Sequence, residues 1–294
     1  MDTALSLRHF LLALLVVGIW GTNFVVIRIG LDDLPPLLFA ALRFLLAFFP
    51  AMLVVARPRV GLVNLAAFGL LIGVGQFGLL FVAMDGWISP GLASLVVQSQ
   101  VLFTIGLALV LQGEKLRRRH LVSLALGVAG ILVIAANTGG SATGLGLSMV
   151  LLAGFSWACG NIVAKRSGAD DMLAYVVWSS IFAVPPLLAL SLAIEGPAAI
   201  VEGLSRSGLG TWSAVVWQSA GNALLGLAAW SLLLSRYPAA VVAPTALLVP
   251  VFGMGASFVF LGEPLENWKI AAALLVISGL AVGLVGRPRR SPAV

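Results

Sequence analysis

Two short stretches place polar chemistry inside apolar sequence. "GIWGTNFVVIRIG", residues 18–30, holds Trp20, Asn23 and Arg28, and "SWACGNIVAKR", residues 156–166, holds Trp157, Asn161 and Arg166. The Asn lies five residues before the Arg both times. An amide offers a donor and an acceptor together, and an indole offers a broad apolar face with one N–H. Such groups can hold a small zwitterion, amides on its charged ends and rings over its side chain. More of the same kind recur in apolar runs: Gln76, Ser94 and Gln98, then Gln218 and Asn222, with Trp230 two turns on. On helices, Trp20, Asn23 and Ile27 share a face at i, i+3, i+7, while Trp157 with Asn161 and Gln218 with Asn222 share one at i, i+4. The competing reading is that these amides glue membrane helices together, each contributing on average about 0.6 kcal/mol.

The missing chemistry is as informative. All eleven acids fall in loops or at span ends, His9 and His120 flank spans, and Cys159 is alone. A carboxylate proton relay needs an ionisable group within the membrane, and the apolar runs offer none. The expectation is therefore facilitated, gradient-driven movement of a neutral or zwitterionic solute rather than proton antiport of a cation. An enzyme would need a nucleophile with its base, or a set of metal ligands. Two flanking histidines and one Cys supply neither, and no His-x-x-x-His pair, Walker loop or dinucleotide fingerprint occurs. No cofactor and no metal are expected. A channel would need a continuous polar pore lining, which isolated amides do not make. Arg43 is the exception: eight residues after Pro35, it stands about 12 Å into its span. As an intramembrane cation it is a functional candidate; the reading preferred is that it snorkels to the interface or pairs with Asp32, Asp33 or Asp85.

These residues must be positioned by membrane helices. Of the 294 residues 61% are hydrophobic and 10% charged, with mean hydropathy +1.11; a soluble domain would carry about 25% charged residues. A lone Cys forms no intramolecular disulfide, and "MDTALSLRHF" leads straight into a full-length span without a cleavage site. At about 20 apolar residues per crossing, ten spans are expected, near 9–30, 35–56, 62–84, 89–112, 119–137, 144–165, 172–194, 210–234, 238–261 and 267–286. The longest connection, "EGPAAIVEGLSRSGLG", has room for a short interfacial helix. With the N-terminus inside, thirteen Lys and Arg fall on inner segments and three, Arg28, Arg206 and Lys269, on outer ones. That bias places both termini in the cytoplasm. It also accounts for the net charge of +6 without a nucleic-acid partner; the expected partners are the lipid bilayer and a small solute.

Landmarks repeat across two halves, 1–138 and 139–294. Gly113-Glu114-Lys115-Leu116 follows the fourth span and Gly262-Glu263-Pro264-Leu265 the ninth, and each Glu lies sixteen residues before a Gly, Gly130 and Gly279. Pro90 precedes Glu114 by 24 residues and Pro238 precedes Glu263 by 25. Five spans per half is odd, so the second half enters the bilayer upside down, and inverted repeats converge on a midplane site. The fold class expected is all-α integral membrane: ten transmembrane helices in two inverted five-helix repeats around a central cavity. That symmetry favours a site over glue for Asn23 with Asn161. Pro244 and Pro250 bracket a stretch of the ninth span as a gating bend, with a plain packing kink as the alternative. "GLLIG" (69–73) and "GLAVG" (279–283) are small-xxx-small patterns for close helix approach, and the Gly-Glu acids are expected to pin tight corners.

"WGTNFVVIR", "LRFLLAFF", "SPGLASLV" and the repeated Gly-Glu-x-Leu corners resemble the EamA-type transporters of the drug/metabolite transporter superfamily, and within it the YddG-type amino-acid exporters. The resemblance covers nearly the whole chain. It implies ten helices, a central cavity, alternating access and export of amino acids or related metabolites across the bacterial inner membrane. The intramembrane Glu that small multidrug exporters of the superfamily use for cationic drugs is missing from this sequence. A chain with both halves can transport as a monomer.

Overall fold

The computed structural model describes residues 5–111 and 118–284. Two isolated bridges, Ile88–Ala142 and Gly139–Ala142, are the only extended pairings among them. Eight helices among the described residues are long and apolar enough to cross a membrane, and a shorter apolar helix covers Asn267–Gly283. In chain order the helical runs are α1 Leu7–Leu31, α2 Pro36–Leu53, α3 Leu62–Met84, α4 Pro90–Leu111, α5 Arg118–Ala136, α6 Gly144–Ser167 and α7 Met172–Arg206. They continue as α8 over 209–236, α9 over 239–261 and α10 Asn267–Leu284. Run α8 is not among the eight apolar spans, since Gln218, Ser219 and Asn222 fall in its middle.

Local sequence sets where these helices start and stop. Ser6 caps α1 by accepting from the His9 N–H, Thr143 caps α6 by accepting from Gly146, and Asp171 caps α7 by accepting from Leu173 and Ala174. Each side-chain oxygen satisfies a donor that the first turn leaves orphaned. Gly168 and Gly262, at φ +64° and +68°, end α6 and α9 in the left-handed conformation a side chain would resist. Within α7, Gly196 at φ +84° sets off a final helix, Gly196–Arg206, in the connection expected to hold one.

Several runs are irregular inside. α3 widens to a π-helical stretch over Leu71–Gly78 and α8 does so over Trp217–Leu225. α4 breaks between Val96 and Ser99, and α9 tightens to a 3₁₀ stretch over Ala243–Leu248. α2 breaks after Phe48, and α7 breaks between Ser180 and Val184, just before Pro185 and Pro186. Prolines account for the α7 and α9 irregularities by removing backbone donors.

Close packing follows the small residues. α5 lies along α10, where a Cβ on Gly130 would come 2.6 Å from Val276 Cγ2 and one on Gly279 2.9 Å from the Ser123 carbonyl. Gly69 and Gly73 press α3 against Ser179 and Ala183 of α7. Both small-xxx-small patterns thus sit at helix contacts.

One end of the bundle is tied by carboxylates. α2 and α4 both begin with Pro at the first turn and have no side-chain cap of their own. Glu195 instead accepts from Leu37 N–H (2.6 Å) and Leu38 N–H (3.3 Å), and from the Ser191 hydroxyl (2.6 Å). Glu263 accepts from Gly91 N–H at 3.2 and 3.3 Å. Asp33 accepts from the Thr211 hydroxyl, tying the α1–α2 connection to the first turn of α8. Glu263 therefore pins its corner to the start of α4; its counterpart Glu114 lies outside the described residues. From this capped end inward, every residue of α4 from Pro90 to Ser99 is buried, whereas beyond it only Leu102 is. At the opposite end the Tyr237 hydroxyl meets His9 Nδ1 at 2.8 Å, and Trp178 donates to the Val55 carbonyl at 3.0 Å.

Candidate functional site

Asn23 and Gln218 form a reciprocal amide pair between α1 and α8. Gln218 Nε2 donates to Asn23 Oδ1 at 2.7 Å, and Asn23 Nδ2 donates back to Gln218 Oε1 at 3.4 Å. Both are buried. The same seam holds Trp20, whose indole N–H donates to the Asn222 carbonyl at 3.3 Å and whose ring lies 5.1 Å from that of Trp230. Five of the expected residues thus meet where the first helix crosses the π-helical stretch of α8. A π turn leaves backbone groups out of regular register and is common at functional positions.

The others divide. Asn161 does not meet Asn23; its Nδ2 donates to Gln100 Oε1 at 3.1 Å, tying α6 to α4. Gln100 was missed in the sequence, although it is an amide in an apolar run as much as Gln98 is. Ser94 turns its hydroxyl back to the Gly91 carbonyl at 2.7 Å and packs against Gly253 of α9, so it serves helix approach in this state. Trp157 is half-buried against the main core. Gln76, in the π stretch of α3, and Gln98, at the break in α4, are buried, and their side chains have no hydrogen-bond partner among the described residues. Pro244 lies in the 3₁₀ stretch of α9 and Pro250 opens the helix that follows.

Arg43 departs from expectation. It neither snorkels nor pairs with a loop acid: it is 4% exposed, while Asp32 pairs with Arg28 at 3.1 Å and Asp33 is held by Thr211. Its guanidinium lies 3.4 Å from the centre of the Phe77 ring and 5.0 Å from that of Phe44, a cation–π arrangement. Nε and Nη1 are buried without a partner. The Arg43 carbonyl accepts from the Ser219 hydroxyl at 3.0 Å, which fixes α2 against α8. Sequence alone placed Arg43 at the right depth but could not tell that Phe77 and Ser219 would enclose it.

A recess of about 250 Å³ at the capped end is lined by Asp33, Pro35, Asp85, Glu202 and Arg206 among others, away from the amides. Burial raises the Asp85 carboxyl above its ordinary range, with Arg28 pulling the other way. No group of three or more metal-ligating side chains occurs among the described residues.

Comparison with known proteins gives the arrangement its context. A Salmonella typhimurium (strain LT2) protein named "Probable amino-acid metabolite efflux pump" is 42% identical over 99% of both chains. One of the same name from Escherichia coli (strain K12) is 38% identical over 96% of both. A "Probable terminal-alkyne amino-acid exporter" of Streptantibioticus cattleyicolor is 25% identical over 90% of each chain. A crystal structure covering 94% of this chain and 96% of its own superposes with TM-score 0.60 at 20% identity, a likeness of fold alone. The model of the EamA-like transporter family matches twice, over residues 7–136 and 144–285. With the family model matching both halves and full-length relatives named as efflux pumps, this chain is a membrane transporter, not an enzyme, and belongs to the EamA-like transporter family.

Proposed function

We propose that the protein exports amino acids, aromatic and other neutral ones, and related small metabolites across the bacterial inner membrane by facilitated alternating access. The observation that carries this reading is the interior itself: amides and indoles gathered on α1, α3, α4, α6 and α8, with every acid of the chain in a loop or toward the end of a run. The full-length relatives named as amino-acid metabolite efflux pumps support it, and a relative called an inner membrane transporter supports the location.

The architecture proposed is ten transmembrane helices in two inverted repeats, 1–138 and 139–294, able to act as a monomer. The twofold family match supports those halves. So does the pairing of irregularities at a spacing of five runs: α2 with α7 broken, α3 with α8 π-helical, α4 with α9 interrupted. The excess of Lys and Arg on one side supports both termini in the cytoplasm, and with that orientation the capped end is periplasmic. In this state the periplasmic side is closed by the Glu195, Glu263 and Asp33 contacts, and the cytoplasmic half of α4 is freer. Release outward then requires those contacts to part, with the 3₁₀ stretch between Pro244 and Pro250 as the bend on α9.

Counterflow in liposomes tests this. Vesicles holding purified protein and unlabelled tryptophan or methionine receive the labelled amino acid outside, with no pH gradient. Saturable accumulation that depends on internal substrate is expected. Accumulation only under an imposed pH gradient would favour proton-coupled export of other metabolites or drugs, and none under either condition would end the amino-acid assignment.

A further inference from the structure

Among the described residues, Arg43 is a buried cation whose charge no acid answers. A buried cation is costly unless it is paired or fully hydrogen-bonded. Elsewhere the chain meets that requirement: Lys269, equally buried, donates to the Pro264 carbonyl at 2.9 Å and pairs with Glu266 at 3.3 Å. Among the described residues Arg43 has two ring faces, no acid and two unpartnered nitrogens. The rings offset part of the cost and hold the guanidinium plane in place, but they take none of its N–H donors. Protein encloses it on the sides of α2, α3 and α8, so a lipid phosphate does not reach it.

The surroundings are those of a site that opens. Phe77 belongs to the π stretch of α3, one residue from the unpartnered Gln76, and Ser219 belongs to the π stretch of α8. Arg43 therefore stands where both widened helices meet α2. Its five N–H donors, arranged as a planar fork, pair bidentately with a carboxylate or a phosphate, and of the two it is the carboxylate that an amino acid carries.

We propose that Arg43 is the residue that binds the carboxylate of the exported solute, so that a free carboxylate is the feature the protein selects. This rests on the amino-acid reading for its choice of solute. The cation remains inside the apo protein because the passenger brings the counter-charge, and the chain has no intramembrane acid of its own to compete for it. Solute reaches Arg43 when the junction of α2, α3 and α8 loosens during the transport cycle.

The test is thermal stabilisation and saturation binding of the purified full-length protein with tryptophan, tryptophan amide, N-acetyltryptophan, indole-3-propionate and sodium chloride. Tryptophan and N-acetyltryptophan should stabilise the wild type, with the amide weaker by about tenfold or more, the usual worth of a charge-assisted bond. Arg43→Met should bind the carboxylates at least about tenfold more weakly, lose the preference for acid over amide, and melt no lower than wild type. That last readout separates a ligand residue from a structural one, whose removal lowers the melting temperature. Should Arg43→Met not fold, Arg43→Lys keeps the charge without the fork and should retain part of the preference. The proposal is overturned if the wild type binds acid and amide alike, if Arg43→Met keeps the preference, if chloride matches the carboxylates, or if no carboxylate binds. Binding of N-acetyltryptophan or indole-3-propionate but not tryptophan, with dependence on Arg43, would sink the amino-acid reading and leave Arg43 in place.

Discussion

Replacing Glu263 by Gln tests whether the capped end is a gate or only a brace. Glu263 supplies the carboxylate that the N-terminus of α4 lacks, through Gly91 N–H at 3.2 and 3.3 Å. Ser89, at the N-cap position of α4, has a buried hydroxyl without a partner. Gln keeps an acceptor oxygen but loses the charge that interacts with the helix dipole, an interaction worth about 0.3–1 kcal/mol and up to about 2 when partly buried. Weakening of the charge-assisted bond itself adds to that, and Ser89 can recover part of the loss by capping in its place. A net of roughly 1–2 kcal/mol remains, which shifts the closed–open ratio by about 5- to 30-fold. Ser257 reports on opening: it is fully buried beneath Gly91, and its hydroxyl has no partner, so Cys there breaks no hydrogen bond. In a Cys159→Ser, Ser257→Cys background, a membrane-impermeant thiol reagent on the capped side should label the Glu263→Gln protein about 5- to 30-fold faster. Glu266→Gln, which loosens Lys269 of the same corner without touching α4, should label at the parent rate. Labelling within twofold of the parent in Glu263→Gln, alongside a lowered melting temperature, would show that the cap braces α4 and does not gate.

The Asn23–Gln218 pair should behave as coupled partners: Asn23→Ala and Gln218→Ala each leave a buried amide unsatisfied, at about 1–3 kcal/mol. The double variant should melt above the sum of the singles, with coupling near 0.6–1.7 kcal/mol by double-mutant cycle; additivity would mean the amides do not depend on each other. Gly130→Leu should force α5 from α10, because even a Cβ would lie 2.6 Å from Val276, and an overpacking loss of about 1–3 kcal/mol is expected from denaturation in detergent. Asp85 has a folded pKa raised by burial, so the folded protein holds its proton longer than the unfolded chain does, and stability should fall as pH rises from the ordinary Asp value through the raised one. Asp85→Asn should remove that contribution to the fall in melting temperature above the ordinary Asp value; an unchanged slope would assign it to other groups.

Much of this was legible because apolar runs in a membrane chain admit few exceptions. Trp20, Asn23, Gln218, Asn222 and Trp230 were each visible as polar or indole groups at helical spacing, and the structure brings all five to one seam. Periodicity could not say which amide would meet which, because that depends on how helices far apart in sequence cross. Asn161 therefore went to Gln100, two residues past Gln98, and Ser94 went to its own backbone. The Gly-Glu-Pro-Leu corner was legible as a corner, but its acid reaches across to Gly91, 172 residues away. The π stretches of α3 and α8 have no sequence signature of their own beyond amides and glycines in otherwise apolar runs. Arg43 was legible in depth and not in environment, since snorkelling and enclosure look alike until the neighbours are placed.

The unequal use of the amides has a meaning under the proposed inverted repeat. The π turn of α8, with Gln218 and Asn222, corresponds to the π turn of α3, with Gln76, and α1 corresponds to α6. In the first of these crossings the amides are joined, Asn23 to Gln218. In the second they are not: Asn161 is held by Gln100, and Gln76 has no partner among the described residues. α6 and α3 still touch at that crossing, since Ser156 donates to the Leu71 carbonyl at 2.8 Å. Under that proposed repeat, two equivalent crossings in different arrangements fit a molecule that faces one side. In the opposite-facing state the roles should exchange, with Asn23 released and Asn161 free to turn toward Gln76. The amides would then serve as glue and as site by turns, each released on the side where solute is admitted.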